Sequence, residues 1–313
     1  MLRFVSRQLA PLTLVAALVA YGYPPAFLVL KGAFLWLFAA TMFCLGLVLN
    51  PREVRDALGR PGQIGLGVAV QYLVMPVLGF GAAVLVQRAG APPALALGFV
   101  VVGAAPGAMA SNVMVYLAGG AVAFSVAMTT VATFLAPLLT PWLVEVLGGR
   151  FLPIPFWPMM RTILLIVVVP LGAGMLVRPW LGHIRGRVEE GAPAVASLAI
   201  VAICGYAMAA NADRIAGVGA GVLVLVVVVN GLGYLAGWGL GRLFRFDARH
   251  RLTLAIEIGM QNAGLGVALA LEHFQAEAAL PGALFAVWCI LTAAGATGYL
   301  RRRGGLGVQA GPA

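Results

Sequence analysis

Charge is what this chain of 313 residues has least of: Asp, Glu, Lys and Arg make up 10% of it, against about 25% in an ordinary soluble domain. With 62% hydrophobic residues and a mean hydropathy of +1.01, a soluble fold is excluded, because so much apolar surface needs lipid. Cysteine is scarce too. Cys44, Cys204 and Cys289 lie far apart in apolar stretches with no Cys-x-x-Cys, so they read as small core residues and no disulfide is expected. His183, His250 and His273 fall at segment ends without metal-ligand spacing. No nucleophile–His–acid set and no zinc motif is present, so an enzyme has little support and no catalytic residue is assigned. The net charge of +10 does not indicate nucleic acid, because the basic residues are scattered singly through short connections and do not alternate with stacking aromatics.

What the chain does have is long apolar runs. A bilayer-crossing helix needs about 20 apolar residues. On that basis ten segments are expected, at 9–28, 33–49, 62–87, 93–118, 120–144, 159–180, 191–210, 216–243, 251–272 and 279–300. The tail 301–313, "RRRGGLGVQAGPA", is polar and Gly-rich and is expected to be disordered. The start, "MLRFVSRQLAPLTLVAALVAYG", has the basic head and apolar run of a signal peptide. The ten-segment count and the charge distribution argue instead for a retained first helix. Ten segments put both ends on one side, together with 15 of the 20 basic residues; only Lys31, Arg88, Arg150, Arg161 and Arg214 fall on the other. Basic connections stay in the cytoplasm, so both termini are expected there.

Two segments carry related polar marks. Segment 4 has "ASNVM" and segment 9 "GMQNAG", and their asparagines, Asn112 and Asn262, are 150 positions apart. Gln71 and Asn230 are each a lone amide followed by a Gly-rich run, in segments 3 and 8. Five is an odd number of crossings, so a second copy would insert upside down, the inverted-repeat plan of many secondary transporters.

Nine of the ten acidic residues lie in connections or at segment ends; the exception is Glu257. Intramembrane carboxylates cost at least ~2.5 kcal/mol and usually mark ion or proton paths. The plainer account places Glu257 near the membrane surface, since Arg249, His250 and Arg251 are close in sequence, but its other neighbours are polar too. Gln261, four residues on, shares its face if the helix continues. In "GAAPGAMASNVMVYL", Pro106 disrupts the preceding turn while Gly103 and Gly107 loosen it. A broken helix offers carbonyls to a cation and N–H groups to an anion, and Ser111 and Asn112 add side-chain oxygens. A simple proline kink with small packing residues explains Pro106 alone but not the cluster. Ser125, Thr129 and Thr133 recur every four residues as a hydroxyl stripe in segment 5, which equally well can hydrogen-bond to its own backbone. Hydroxyls, amides and one carboxylate suit a hard monovalent cation such as Na⁺. Gly233, Gly237 and Gly241 read as a close helix-packing face.

The stretches "APGAMASNVMVYLAGG…AFSVAMTTVATFLAPLLTP", "EIGMQNAGLGVALALEHF" and "QYLVMP" resemble the bile acid:sodium symporter family, and its bacterial members most, over about residues 5–300. That resemblance implies an all-α polytopic membrane protein: ten helices in two inverted five-helix repeats, about 5–148 and 155–300. Helices 1, 2, 6 and 7 would form a panel and helices 3–5 and 8–10 a core, with helices 4 and 9 broken and crossing. It implies two coupling Na⁺ ions. One would be held by Ser111, Asn112, Ser125, Thr129 and Glu257, the other by Gln71, Glu257, Gln261 and the main chain at Ile258 and Met260. The substrate, an organic anion of the bile-acid or pantoate/pantothenate kind, would sit in the cleft between panel and core near Met109, Ala110, Asn262 and Ala263. Met109 departs from the family's pattern, where a hydroxyl often faces the substrate. The reading is a sodium-coupled symporter importing a carboxylate by alternating access, with lipid and a small anion as partners and no protein partner evident. A cation/proton antiporter using Glu257 as proton carrier is the alternative, although no second acid lies beside Glu257. A non-transporting membrane sensor or scaffold is the other.

Overall fold

Apolar chain in lipid can satisfy its own backbone only as helix or closed barrel, and this sequence takes the first course. The computed structural model describes residues 9–49, 59 and 61–302. Among them regular structure is entirely helical, apart from one isolated bridge between Gly107 and Gln261. The α-helices are α1 Leu9–Gly22, α2 Pro25–Leu28, α3 Phe34–Val48, α4 Pro61–Arg88, α5 Pro93–Gly103, α6 Ser111–Ala118, α7 Val122–Gly148, α8 Phe156–Ile163, α9 Val169–Val177, α10 Arg185–Ala209, α11 Ala212–Leu243, α12 Ala248–Gly259, α13 Ala263–His273 and α14 Leu280–Arg302. Arg3, Arg7, Arg52, Glu53, Arg55, Asp56, Arg60 and the tail from Arg303 lie outside the described residues. Arg301 and Arg302 continue α14, two residues into the stretch expected to be disordered.

Among the described residues five helices are long and apolar enough to cross a bilayer, six if the first bent pair counts as one. The difference from the ten expected segments, the fourth and ninth of them broken, has local causes. The first segment stops at Gly22, and the next pieces turn away by 109° at Pro24 and Pro25, so it does not run straight to 28. Segment 4 is cut into α5 and α6, and segment 9 into α12 and α13, each half too short to cross alone. α3 has 15 residues. Segments 6 and 7 run together because α9 passes into α10 through a 3₁₀ stretch, Arg178–Ile184, kinked at Gly182, whose φ of 47° is open to glycine. Within segment 6 a π-helical turn, Leu164–Val168, joins α8 to α9.

The surface is apolar where a soluble protein's would be polar. Leu18, Leu73, Leu165, Leu176 and Leu235 are all exposed, as lipid-facing residues should be. Inside, helices meet through small residues. A methyl at Gly237 would stand 2.7 Å from Ala255 Cα, and one at Gly241 3.1 Å from Arg251 Cγ, so the predicted glycine face presses α11 onto α12. Gly79 and Gly103 bring α4 and α5 together in the same way. α3 packs on α9 and α10, and α10 on α1; α4 packs on α5 and α7, and α11 on α4, α12 and α14.

Candidate ion site and cleft

Segment 4 leaves helix between Ala104 and Ala110, and segment 9 between Met260 and Asn262. The two breaks satisfy each other. The Ala108 N–H donates to Met260 O at 2.9 Å, and the Asn262 N–H donates to Pro106 O at 2.8 Å. These bonds form the Gly107–Gln261 bridge and meet the condition for irregular backbone at membrane depth. The condition for Gln261 to share the face of Glu257, a continuous helix, is not met. Gln261 does not sit a helical turn beyond Glu257, because α12 ends at Gly259 and Met260 is extended (φ −101°, ψ 103°). Side chains from adjacent helices cover the carbonyls that the breaks expose: Thr140 donates to Ala104 O at 2.8 Å, and Asn230 to Gly259 O at 2.8 Å.

Glu257, in the last turn of α12, is fully buried. The Ser111 hydroxyl donates to its Oε1 at 2.5 Å, the Ser125 hydroxyl to the same oxygen, and the Thr129 hydroxyl to Oε2 at 2.7 Å. Asn112 Oδ1 faces Ser125 Oγ at 2.7 Å and Thr129 Oγ1 at 3.5 Å. All five residues named from the sequence for the first ion therefore meet in one place. Each hydroxyl proton there is contested. Ser111 also faces Ala108 O at 2.6 Å, and Thr129 also faces Ser125 O at 2.9 Å. Three protons thus serve five oxygen acceptors, and every hydrogen-bond partner of the carboxylate is a hydroxyl. Such a surplus of oxygen lone pairs around one buried charge fits a hard cation. Thr133, the third member of the stripe, bonds back to Thr129 O at 2.7 Å and stays outside the cluster. Gly107 lets the backbone pass close by, since a methyl there would stand 3.2 Å from Glu257 Oε2.

The residues named for the second ion lie partly in the bridge. Gln71 and Gln261 are both buried, and Gln71 Nε2 donates to Gln261 Oε1 at 2.9 Å. Gln261 Nε2 donates to Ile258 O at 3.3 Å, and Met260 O already accepts from Ala108. Gln71 Oε1 has no hydrogen-bond partner. A buried, unpaired amide oxygen costs about 1–3 kcal/mol, and a cation beside it would remove that cost.

Next to the crossing lies a cleft. Met109, Ala110, Asn262 and Ala263 all line it, and among the described residues no charged side chain does. The N-termini of α6 and α13 begin at this crossing, and Asn262 caps α13 by accepting the Leu265 N–H at 3.2 Å. Both helices present the positive ends of their dipoles there. Phe38, Thr41 and Met42 of α3, Ile203 and Cys204 of α10 and Cys289 of α14 complete much of the wall. The sequence reading missed them. Phe38, Met42 and Ile203 are indistinguishable from lipid-facing residues of their segments; Thr41 bonds back to Leu37 O at 2.9 Å as an ordinary helical threonine does; and the two cysteines read as core.

Two crossing helix breaks, a buried carboxylate among hydroxyls and a neighbouring cleft define a multi-pass membrane transporter rather than an enzyme. Comparison with known proteins makes the class specific. The Sodium Bile acid symporter family matches residues 35–218, and this chain belongs to that family. It is 34% identical over 275 residues to the uncharacterized sodium-dependent transporter YocS of Bacillus subtilis, covering 88% of this chain and 85% of that one. It is 34% identical over 260 residues to the probable chloroplastic sodium/metabolite cotransporter BASS1 of Oryza sativa, and 33% over 234 residues to that of Arabidopsis thaliana. Those matches take in 83% and 75% of this chain but only 63% and 58% of the two plant proteins. Na⁺ is accordingly the coupling ion, and the cargo is a small molecule.

Proposed function

We propose that this protein is a sodium-coupled symporter that imports an organic carboxylate, with one Na⁺ among Ser111, Asn112, Ser125, Thr129 and Glu257 and a second beside Gln71, Glu257, Gln261 and the carbonyls of Ile258 and Met260. The observation that carries this reading is the contested hydroxyl protons around Glu257, hydrogen-bonded directly under the crossing that forms one wall of the cleft. When Na⁺ enters, the same oxygens serve as ligands and the hydroxyl protons turn outward. That ties α6, α7 and α12 together and sets the Met109–Ala110 and Asn262–Ala263 wall of the cleft. The substrate's carboxylate would meet the N-termini of α6 and α13, and its body the apolar wall.

Ten segments in two inverted repeats, about 5–148 and 155–300, form part of the same proposal. It is supported by the paired breaks and by Gln71 and Asn230, which lean toward carbonyls at those breaks from equivalent long helices, α4 and α11. Segments 1, 2, 6 and 7 would form the panel against which the remaining core moves, with both termini in the cytoplasm of a bacterial cell. The packing of α3 with α9 and α10 supports that grouping. The test is uptake into proteoliposomes of a labelled panel of bile acids and pantoate-like acids under an inward Na⁺ gradient. At least one acid should accumulate with NaCl outside and not with KCl. Na⁺/H⁺ exchange with no organic solute moved would overturn the proposal.

A further inference from the structure

The four halves of the broken segments are not treated alike by their neighbours. α5, α6 and α12 pack substantially only on helices of segments 3–5 and 8–10, whereas α13 also packs on α3, α8 and α10. Two specific contacts mark that seam. His273 Nε2, at the end of α13, lies 3.0 Å from Thr162 Oγ1 on α8. Phe38 of α3, almost fully buried, covers Gly264 so closely that a methyl there would stand 3.2 Å from its ring. Around them Ala17, Ala20, Ala207 and Ala209 of α1 and α10 join Val267, Ala270 and Ala283 of α13 and α14 in one alanine-rich cluster. The cluster at the opposite end, with Met114, Val115, Leu252 and Ile256, draws on none of segments 1, 2, 6 and 7. One end of the cleft is therefore sealed across both helix groups, and among the described residues the other is not.

We infer that α13 is the movable seal of the outer face, latched by the Thr162–His273 hydrogen bond and seated by Phe38 on Gly264, and that the structure shows the cleft open to the cytoplasmic side. The inference rests on the panel-and-core reading and its orientation. Small alanine side chains bury little area each, so the seam can part at low cost. A single neutral hydrogen bond, about 1 kcal/mol, is then enough to weight the equilibrium about fivefold. Because Phe38 and Gly264 both line the cleft, a substrate arriving from outside would have to displace the ring.

A cysteine placed at Ile200, a partly exposed residue of the cleft wall, reports which face is open, since the native Cys204 and Cys289 thiols there are buried. Labelling with a membrane-impermeant maleimide would be followed by peptide mass in right-side-out and inside-out vesicles in KCl, in a Cys44→Ala background. The Ile200→Cys protein should label from the cytoplasmic face and barely from outside. Thr162→Val and His273→Ala should each raise the outside rate about fivefold. Should either variant fold poorly, Thr162→Cys/His273→Cys bridged by a short bifunctional thiol reagent should abolish outside labelling while cytoplasmic labelling persists. Equal labelling from both faces in the Ile200→Cys protein, unchanged outside rates in the folded variants, or outside labelling of the bridged protein would overturn the latch. Na⁺-dependent thermal stabilisation, measured alongside, reports the ion sites independently, so failure of the latch and failure of sodium coupling are separable.

Discussion

Replacing Glu257 with Gln separates the two contributions of the proposed ion site. In the protein without Na⁺, three hydroxyls donate to the carboxylate. Hydrogen bonds to a charged group contribute about 1.5–3 kcal/mol and neutral ones about 0.5–1.5, so losing charge assistance in three bonds costs up to ~3–4 kcal/mol. Against this, a buried carboxylate carries a desolvation penalty of several kcal/mol, which Gln removes. Glutamine also keeps one oxygen for Ser111 and Ser125 and turns an amide toward Thr129, whose hydroxyl can fall back on Ser125 O at 2.9 Å. The two effects nearly cancel, so Glu257→Gln in KCl should melt no lower than the wild type. The Na⁺ response should differ sharply. Binding to the native state stabilises by RT ln(1 + [L]/Kd), about 2.7 kcal/mol at a hundredfold excess over Kd. At ~2–4 °C per kcal/mol, the wild type should gain about 5–10 °C in NaCl over KCl or choline chloride at equal ionic strength, and Glu257→Gln should gain almost nothing. Equal melting of the wild type in all three salts, or a full Na⁺ shift in the variant, would refute the argument.

Three further outcomes follow from the same geometry. Gly107→Ala puts a methyl 3.2 Å from Glu257 Oε2, so Na⁺ affinity from a thermal-shift titration should fall about tenfold, the equivalent of about 1.4 kcal/mol, with melting in KCl nearly unchanged. Gln71→Leu removes the donor to Gln261 Oε1 and should cost about 1–3 kcal/mol; with the proposed second ion site lost, the Na⁺ dependence of uptake should change from sigmoidal to hyperbolic. Asp247 caps α12 by accepting the N–H groups of Arg249 and His250, and the His250 N–H bond foremost holds its carboxyl below the usual range. Asp247→Ala should cost about 0.5–2 kcal/mol. Because the pKa is lowered on folding, that contribution is complete at neutral pH and fades as pH falls below about 4, so wild type and variant should converge there in a pH-dependent melt.

The class of molecule is legible in the residues alone, and so are the kinds of side chain gathered at its candidate site. Hydropathy alone demanded membrane helices, and one intramembrane carboxylate, a Pro-Gly break before Ser-Asn and a hydroxyl stripe are expensive features in lipid, so they stand out against an apolar background. Tertiary structure decided which of them act together. Periodicity treats Ser125, Thr129 and Thr133 alike; only the approach of α12 to α7 distinguishes the first two from the third, because it brings Glu257 within reach of their hydroxyls alone. Gln261 would share the face of Glu257 only in a continuous helix, and the backbone bonds between the breaks turn it into the bridge, where it meets Gln71 190 positions away. The cleft wall was the least legible part. Phe38, Met42 and Ile203 carry no signal of their own, since an apolar side chain facing a cleft and one facing lipid look the same in sequence, and the two are told apart only by how the helices pack.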